Sequence, residues 1–207
     1  MTRKLKLTMI VLMIVLISVM STAIGLTAAK WDSQGGASSN YGPNINTIDW
    51  NSWSKYFTYQ SVDGINGCAV TGYTGTNIGD VIFPLTDNTY GTVKVINNNI
   101  FSTTTKELPV TIYISATITT INPSAFSNLP NLQRVIFVDS GVINNSEVPA
   151  QAVTVGAYAF AGCTSLQEII VIGTRSVTFD TTAFVGCTNL TSLTKNGVEQ
   201  DLSSYTI

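Results

Sequence analysis

Apolar residues recur in one order in four windows of the chain: Ile96–Ile112, Ile121–Phe137, Val155–Val171 and Phe179–Lys195. Each window opens on an apolar residue and carries a phenylalanine five positions later, at Phe101, Phe126, Phe160 and Phe184. Three places past the phenylalanine stand Thr104, Leu129, Cys163 and Cys187. Six places past it stand Glu107, Leu132, Leu166 and Leu190, with Leu108 one place late in the first window. Nine places past it stand Val110, Val135, Ile169 and Leu193. Apolar columns that keep phase predict stacked repeats, because one unit of this size cannot bury its apolar face alone. The spacings between the phenylalanines are 25, 34 and 24 residues, so the long one holds an insertion. Asp139–Gln151, rich in turn and polar residues, is its expected place.

The end of each window alternates as a strand does. Val135, Phe137, Ile169 and Val171 are expected to point inward, and Arg134, Ile136, Val138, Glu168, Ile170 and Ile172 outward. Pro109, Thr111 and Tyr113 are the outward set of the first window, Ser192 and Thr194 that of the last. The outward row then has an apolar centre of Tyr113, Ile136, Val138, Ile170 and Ile172. Arg134 and Glu168 stack as neighbours, a pair contributing roughly a few tenths of a kcal/mol if exposed. Such a row reads either as a partner site or as β-formers that a neighbouring copy or the lead-in covers.

Ahead of the windows, Phe57–Ser61 and Cys68–Tyr73 read as two strands around a Gly-rich loop, followed by a short strand Val81–Phe83 and by Thr92–Ile96. The aromatic cluster Trp50, Trp53, Tyr56, Phe57 and Tyr59 reads as a cap over the first unit, since the open end of a solenoid must be covered. Its alternative reading is a sugar- or peptide-stacking platform built on Trp50, Trp53 and Tyr56. Trp50 and Trp53 share a face if the segment forms a short helix.

The Ala-Phe steps, with Gly162-Cys163-Thr164 before Leu166 and Gly186-Cys187-Thr188 before Leu190, resemble the BspA-type leucine-rich repeat, a family of bacterial and protist surface proteins. The likeness covers roughly Phe57 to Lys195. The first window departs from it: Ile100 replaces the alanine and there is no Gly-Cys. The resemblance implies a leucine-rich repeat solenoid, mostly β and by convention in the α/β class, across residues 68–195. It also implies an opening hairpin marked by Gly72-Tyr73-Thr74-Gly75. An aromatic cap at 50–67 and a C-terminal cap or tail at 196–207 complete this division.

Met1–Lys6 is basic, Leu7–Met20 is apolar apart from Thr8 and Ser18, and Ser21–Ala29 turns small and polar. That order is a secretory signal peptide, with cleavage expected after Thr27-Ala28-Ala29 and a lead-in at 30–49. The uncharged run Leu7–Ala29 is also long enough for an uncleaved anchor, the one route by which a membrane would be a partner. Both readings place the repeats outside the cytoplasm, secreted or at the cell surface.

Composition narrows the chemistry. Only 11% of residues are charged and none is histidine. The usual general base, the Ser-His and Cys-His pairs and the commonest metal ligand are therefore missing. Without Arg3, Lys4 and Lys6, 7 basic residues face 12 acidic ones, which argues against a nucleic-acid partner. Three scattered cysteines and no clustered carboxylates leave no metal site or cofactor to expect. Cys163 and Cys187 share the repeat position that Leu129 fills, so they read as small core residues, although adjacent rungs also lie within disulfide reach. Asn144 and Asn189 begin glycosylation tripeptides. The expected function is protein interaction or adhesion; the alternatives are glycan binding through the N-terminal aromatic cluster and a purely structural role at the surface, and an enzyme is not expected.

Overall fold

The computed structural model describes residues 48–207 apart from 65, 77, 144 and 145. The signal segment, the lead-in up to residue 47 and Asn144 lie outside the described residues. A 3-10 helix, Trp50–Tyr56, comes first, capped by the Asp49 carboxylate accepting from the Ser52 N–H. Fifteen strands follow among the described residues: β1 (Phe57–Ser61), β2 (Cys68–Tyr73), β3 (Gly79–Ile82), β4 (Thr86–Asp87), β5 (Gly91–Ile96), β6 (Pro109–Ile114), β7 (Thr120–Ile121), β8 (Arg134–Phe137), β9 (Ser140–Ile143), β10 (Ser146–Pro149), β11 (Val153–Val155), β12 (Glu168–Val171), β13 (Val177–Phe179), β14 (Ser192–Lys195) and β15 (Val198–Glu199). No described helix is long and apolar enough to cross a membrane.

Each repeat contributes one strand to each of two sheets. The first sheet runs β1-β2-β5-β7-β11-β13, with β4 added on β5, and the second runs β15-β14-β12-β8-β6-β3. The residue that opens each sequence window falls in one register row of the first sheet: Val70, Ile96, Ile121, Val155 and Phe179. The residue that closes the apolar pattern forms the matching row of the second: Val81, Ile112, Val135, Ile169 and Leu193. All of these belong to one core, with Phe179 packed at its margin.

Between the sheets runs a file of rings. Centroid distances are 5.1 Å from Tyr73 to Phe101, 6.3 Å to Phe126, 5.2 Å to Phe160, 5.9 Å to Phe184 and 5.2 Å to Tyr205. Phe126, Phe160 and Phe184 are fully buried, with the ring pairs Phe126–Phe160 and Phe160–Phe184 stacked. Phe101 is half-buried, closer to the N-terminal end. The small residue before each phenylalanine has a backbone reason. The Phe126 N–H donates to Ala159 O at 2.8 Å and the Phe160 N–H to Ala183 O at 2.9 Å, so successive turns pair backbone to backbone. That closeness leaves no room for a large side chain at Ala125, Ala159 or Ala183, each 0–1% exposed.

The Gly-Cys pair is explained the same way. Gly162 and Gly186 have φ of 71° and 80°, and Asn128 fills the equivalent place at 58°. An αL turn is required there, and Gly and Asn are the residues that adopt it with least strain. The next residue, Leu129, Cys163 or Cys187, then points into the core, 0% exposed in each case.

The first window is out of phase with the sequence alignment. Its loop between the phenylalanine and the core strand residue is two residues longer, so Ile112, not Val110, shares a row with Val135. Thr105 is buried where Thr104 is expected, and Leu108, one place late in the pattern, packs on the core; Thr104 and Glu107 are exposed.

Candidate functional site

Two surfaces follow from this frame: the face of the second sheet that points away from the ring file, and the insertion after β8. Strand alternation separates the two sheet faces as expected. Val135, Phe137, Ile169 and Val171 lie in the core. The opposite face carries two register rows. One is polar: Asp80, Thr111, Arg134, Glu168 and Ser192. The other is Ile82, Tyr113, Ile136, Ile170 and Thr194.

The apolar row is not offered to water. Tyr113, Ile136, Val138 and Ile170 are 0%, 1%, 1% and 2% exposed, in keeping with the covered row, the second of the two readings of this face; Ile172 is half-buried. RVIFV and EIIVI are apolar on both faces, as strands covered on both sides are. Arg134 and Glu168, register neighbours, are each half-buried. Burial pushes the Asp80 carboxyl up from the usual range, against the Thr111 hydroxyl and Arg134, which pull it down. Burial likewise raises the Tyr113 phenol.

The insertion is a β-ribbon. β9 and β10 pair antiparallel, from Ser146 opposite Ile143 to Pro149 opposite Ser140, and form a sheet of their own. Its root is closed by the Ala150 N–H donating to Asp139 O at 2.8 Å and the Gln151 N–H donating to Ala116 O at 3.0 Å.

Beneath the root lies Arg175, 2% exposed. Its Nε donates to Gln151 O at 3.1 Å. Nη1 reaches the carbonyls of Ile114, Ser115 and Val138 at 3.2, 2.9 and 2.9 Å. Nη2 donates to Ile118 O at 2.6 Å. The guanidinium also sits 5.9 Å from the Phe137 ring centroid. Burial pushes its pKa down to about 10 and Asp139 pushes it back up, so at neutral pH it stays charged. Asp139 leans over Gly173, whose φ is 68° and whose Cβ, if present, would collide with that carboxylate. One buried cation thus ties the loops after β6 and β12 to the ribbon's two ends. Nothing in the repeat pattern pointed to Arg175; the only sequence signal was a lone charge beside a Gly turn, in the unit that follows the insertion.

The loop after β6 and the ribbon's two ends give up their carbonyls here because a parallel strand ends with unsatisfied acceptors. The hydroxyls of Ser115 and Thr117, 0% and 2% exposed, donate to Pro84 O and Leu85 O in the loop before.

The aromatic cluster does not present an open platform. Trp50 is 5% exposed, and Trp53 and Tyr56 contact each other edge-on at 5.5 Å while packing on the core.

All three cysteines are free and buried. The Cys163 thiol donates to Phe126 O at 3.1 Å and the Cys187 thiol to Phe160 O at 3.0 Å, each the carbonyl of the phenylalanine one rung before. Burial pushes these thiols up to about 12 and about 11, leaving them protonated and poor nucleophiles. Iodoacetamide added to denatured, unreduced protein is expected to label three cysteines; one labelled cysteine would mean a bridge. Replacing Cys163 with alanine is expected to cost about 1–3 kcal/mol in a urea melt, from lost packing and an orphaned carbonyl. No group of three or more His, Cys, Asp or Glu among the described residues could hold a metal.

Residues 136–206 match the family described as "BspA type Leucine rich repeat region (6 copies)". Over this segment, about a third of the chain, the sequence is similar to the BspA-type leucine-rich repeat family. The leucine-rich repeats of this chain are thus the rungs just described, with β8, β12 and β14 as their strands in the second sheet. No curated protein matches the chain. Among solved structures it is similar to a leucine rich cell surface protein from Faecalibacterium prausnitzii A2-165, at 18% identity, with 68% of this chain and 53% of that one covered and a TM-score of 0.42. It is also similar to the leucine rich repeat protein of T. pallidum, at 18% identity, with 67% and 68% covered and a TM-score of 0.43. A leucine-rich repeat protein from Bacteroides ovatus ATCC 8483 matches at 19% identity, with 67% and 45% covered and a TM-score of 0.35. The matched part spans about half the length of the first of these chains.

Proposed function

We propose that this leucine-rich repeat chain is exported and holds a protein partner at a cell surface, with the ribbon β9–β10 as its principal contact. The observation that carries this reading is the ribbon itself. Among the described residues its strands pair only with each other. An edge to which no further strand pairs among the described residues is the arrangement that β-augmentation uses. Its root is fixed by Arg175, so the ribbon is held in place before any partner arrives, which lowers the ordering cost of binding. The polar row of Asp80, Arg134 and Glu168 supplies charge for a rim contact, which tunes specificity and on-rate more than affinity. The basic, apolar and small-residue order of Met1–Ala29 supports export.

The test combines location and contact. The chain is expected outside the producing cell, beginning at Lys30. A variant in which residues 140–149 are replaced by a two-residue turn is expected to melt normally, because the Asp139–Ala150 closure remains, and to lose the partner that the intact chain captures from the cell surface. Equal capture by both forms would remove the ribbon from the contact.

A further inference from the structure

We infer that a cleft at the N-terminal end, between the 3-10 helix and the turn that follows β4, is a binding site for a neutral saccharide. The cleft has a volume of about 720 Å³, within the roughly 300–1,000 Å³ of small-molecule sites. Its walls are tied together before any ligand arrives. The Asp87 carboxylate accepts from the Thr89 and Tyr90 N–H groups at 2.9 and 3.0 Å, which fixes the turn. Its other oxygen accepts from the Ser54 hydroxyl on the helix at 2.9 Å. The Thr86 hydroxyl donates to Asn51 Oδ1 at 3.0 Å, a second tie between the same walls. The Tyr59 hydroxyl donates to Ser54 O at 2.9 Å and closes the floor.

The lining selects the ligand class. It consists mainly of short hydroxyl and amide side chains, among them Asn51, Ser52, Thr58, Asn88 and Thr89. An apolar peptide anchor or a lipid tail would strip water from these groups, and each polar atom then left without a partner costs roughly 1–3 kcal/mol. The cleft has one cation, Lys55, and one carboxylate, Asp87, so it has no net charge with which to hold a phosphate. Tyr90 adds an aromatic ring that lines the cleft and is 42% exposed. Hydroxyl and amide partners beside one open ring suit a sugar, which carries hydroxyls at its rim and C–H groups on its face. The site is distinct from Trp50, Trp53 and Tyr56, whose rings are engaged in the cap.

The test is calorimetric titration of the full chain with cellobiose, chitobiose and N-acetyllactosamine, with sialyllactose and inorganic phosphate alongside. At least one neutral disaccharide is expected to bind saturably. Tyr90→Ala is expected to weaken it about tenfold, the equivalent of one aromatic contact, and Asn88→Ala to weaken it in the same direction. Both residues are exposed and away from the core, so the melting temperature of each variant is expected to match the parent. The inference is overturned if no neutral disaccharide binds, if phosphate or sialyllactose binds in their place, or if binding is undiminished in both variants.

Discussion

Replacing Arg175 with alanine lowers the unfolding free energy by roughly 3–5 kcal/mol, read from the urea midpoint at constant m-value. Five carbonyl oxygens, from Ile114, Ser115, Ile118, Val138 and Gln151, accept from this one side chain. Its removal leaves the Ile118, Val138 and Gln151 carbonyls without this donor, while Ile114 O and Ser115 O still accept from the Val138 and Ile118 N–H groups; an orphaned polar group costs roughly 1–3 kcal/mol. Asp139 loses the cation that faces it. Not all of these losses add, because the loops can relax toward water once the site opens. Arg175→Lys recovers only part of the loss: an ammonium has three donors and the guanidinium has five in a fixed plane. The ribbon also loosens, since Gln151 O is held from below by Nε. Amide exchange across β9 and β10 is therefore expected to quicken more than exchange in β12. An Arg175→Ala protein that melts within about 1 kcal/mol of the parent would show that the guanidinium is not the tie described.

Phe160→Ala carries the other large effect, roughly 3–5 kcal/mol from lost transfer energy and the cavity left behind. Phe160 is 0% exposed and has a stacked ring on each side, Phe126 at 5.2 Å and Phe184 at 5.9 Å. The neighbours cannot close the gap without breaking the backbone ladder in which Phe160 donates to Ala183. The same change at Phe101 is expected to cost clearly less, because that ring is half-buried and has a more distant contact, 6.3 Å, on one side. The ordering matters more than either value: Phe160 above Phe101 follows from the file of rings. Equal losses at both sites would contradict it.

The parts of this fold that could be read from the sequence are those that repeat. Phenylalanines in phase, alanine before them and the Gly-Cys or Asn-Leu pair after them each have a cause that recurs in the three later windows: a close backbone, an αL turn and a buried side chain. The first window was misaligned because its loop is two residues longer, and a pattern of columns cannot place an unrepeated insertion that short. Alternation assigned the faces of β8 and β12 correctly, with Val135 and Ile169 inside, yet it could not tell a solvated face from a covered one. The continuous apolar runs around Ile136 and Ile170 were the signal that both faces are buried. Tyr73 and Tyr205 end the file of rings without matching the window pattern, since a terminal unit need only supply an aromatic face. Arg175 was invisible for a similar reason: its partners are backbone carbonyls, which leave no mark on the sequence. The cleft beside Tyr90 depends on Asp87 and Ser54, 33 residues apart, meeting in space, and no spacing rule brings those two together.

Rings from separate rungs stand in one file between two sheets whose repeat strands run parallel. Aromatic NOEs in a sample with isotope-labelled phenylalanine test it most directly. Phe126 and Phe160 are 34 residues apart in the chain, and Phe160 and Phe184 are 24 apart, yet their ring centroids are 5.2 and 5.9 Å apart. Strong ring-to-ring cross-peaks are expected for both pairs and none for Phe126 with Phe184. Assigned, well-resolved rings that lack the Phe126–Phe160 cross-peak would contradict the stacking on which the rest is built.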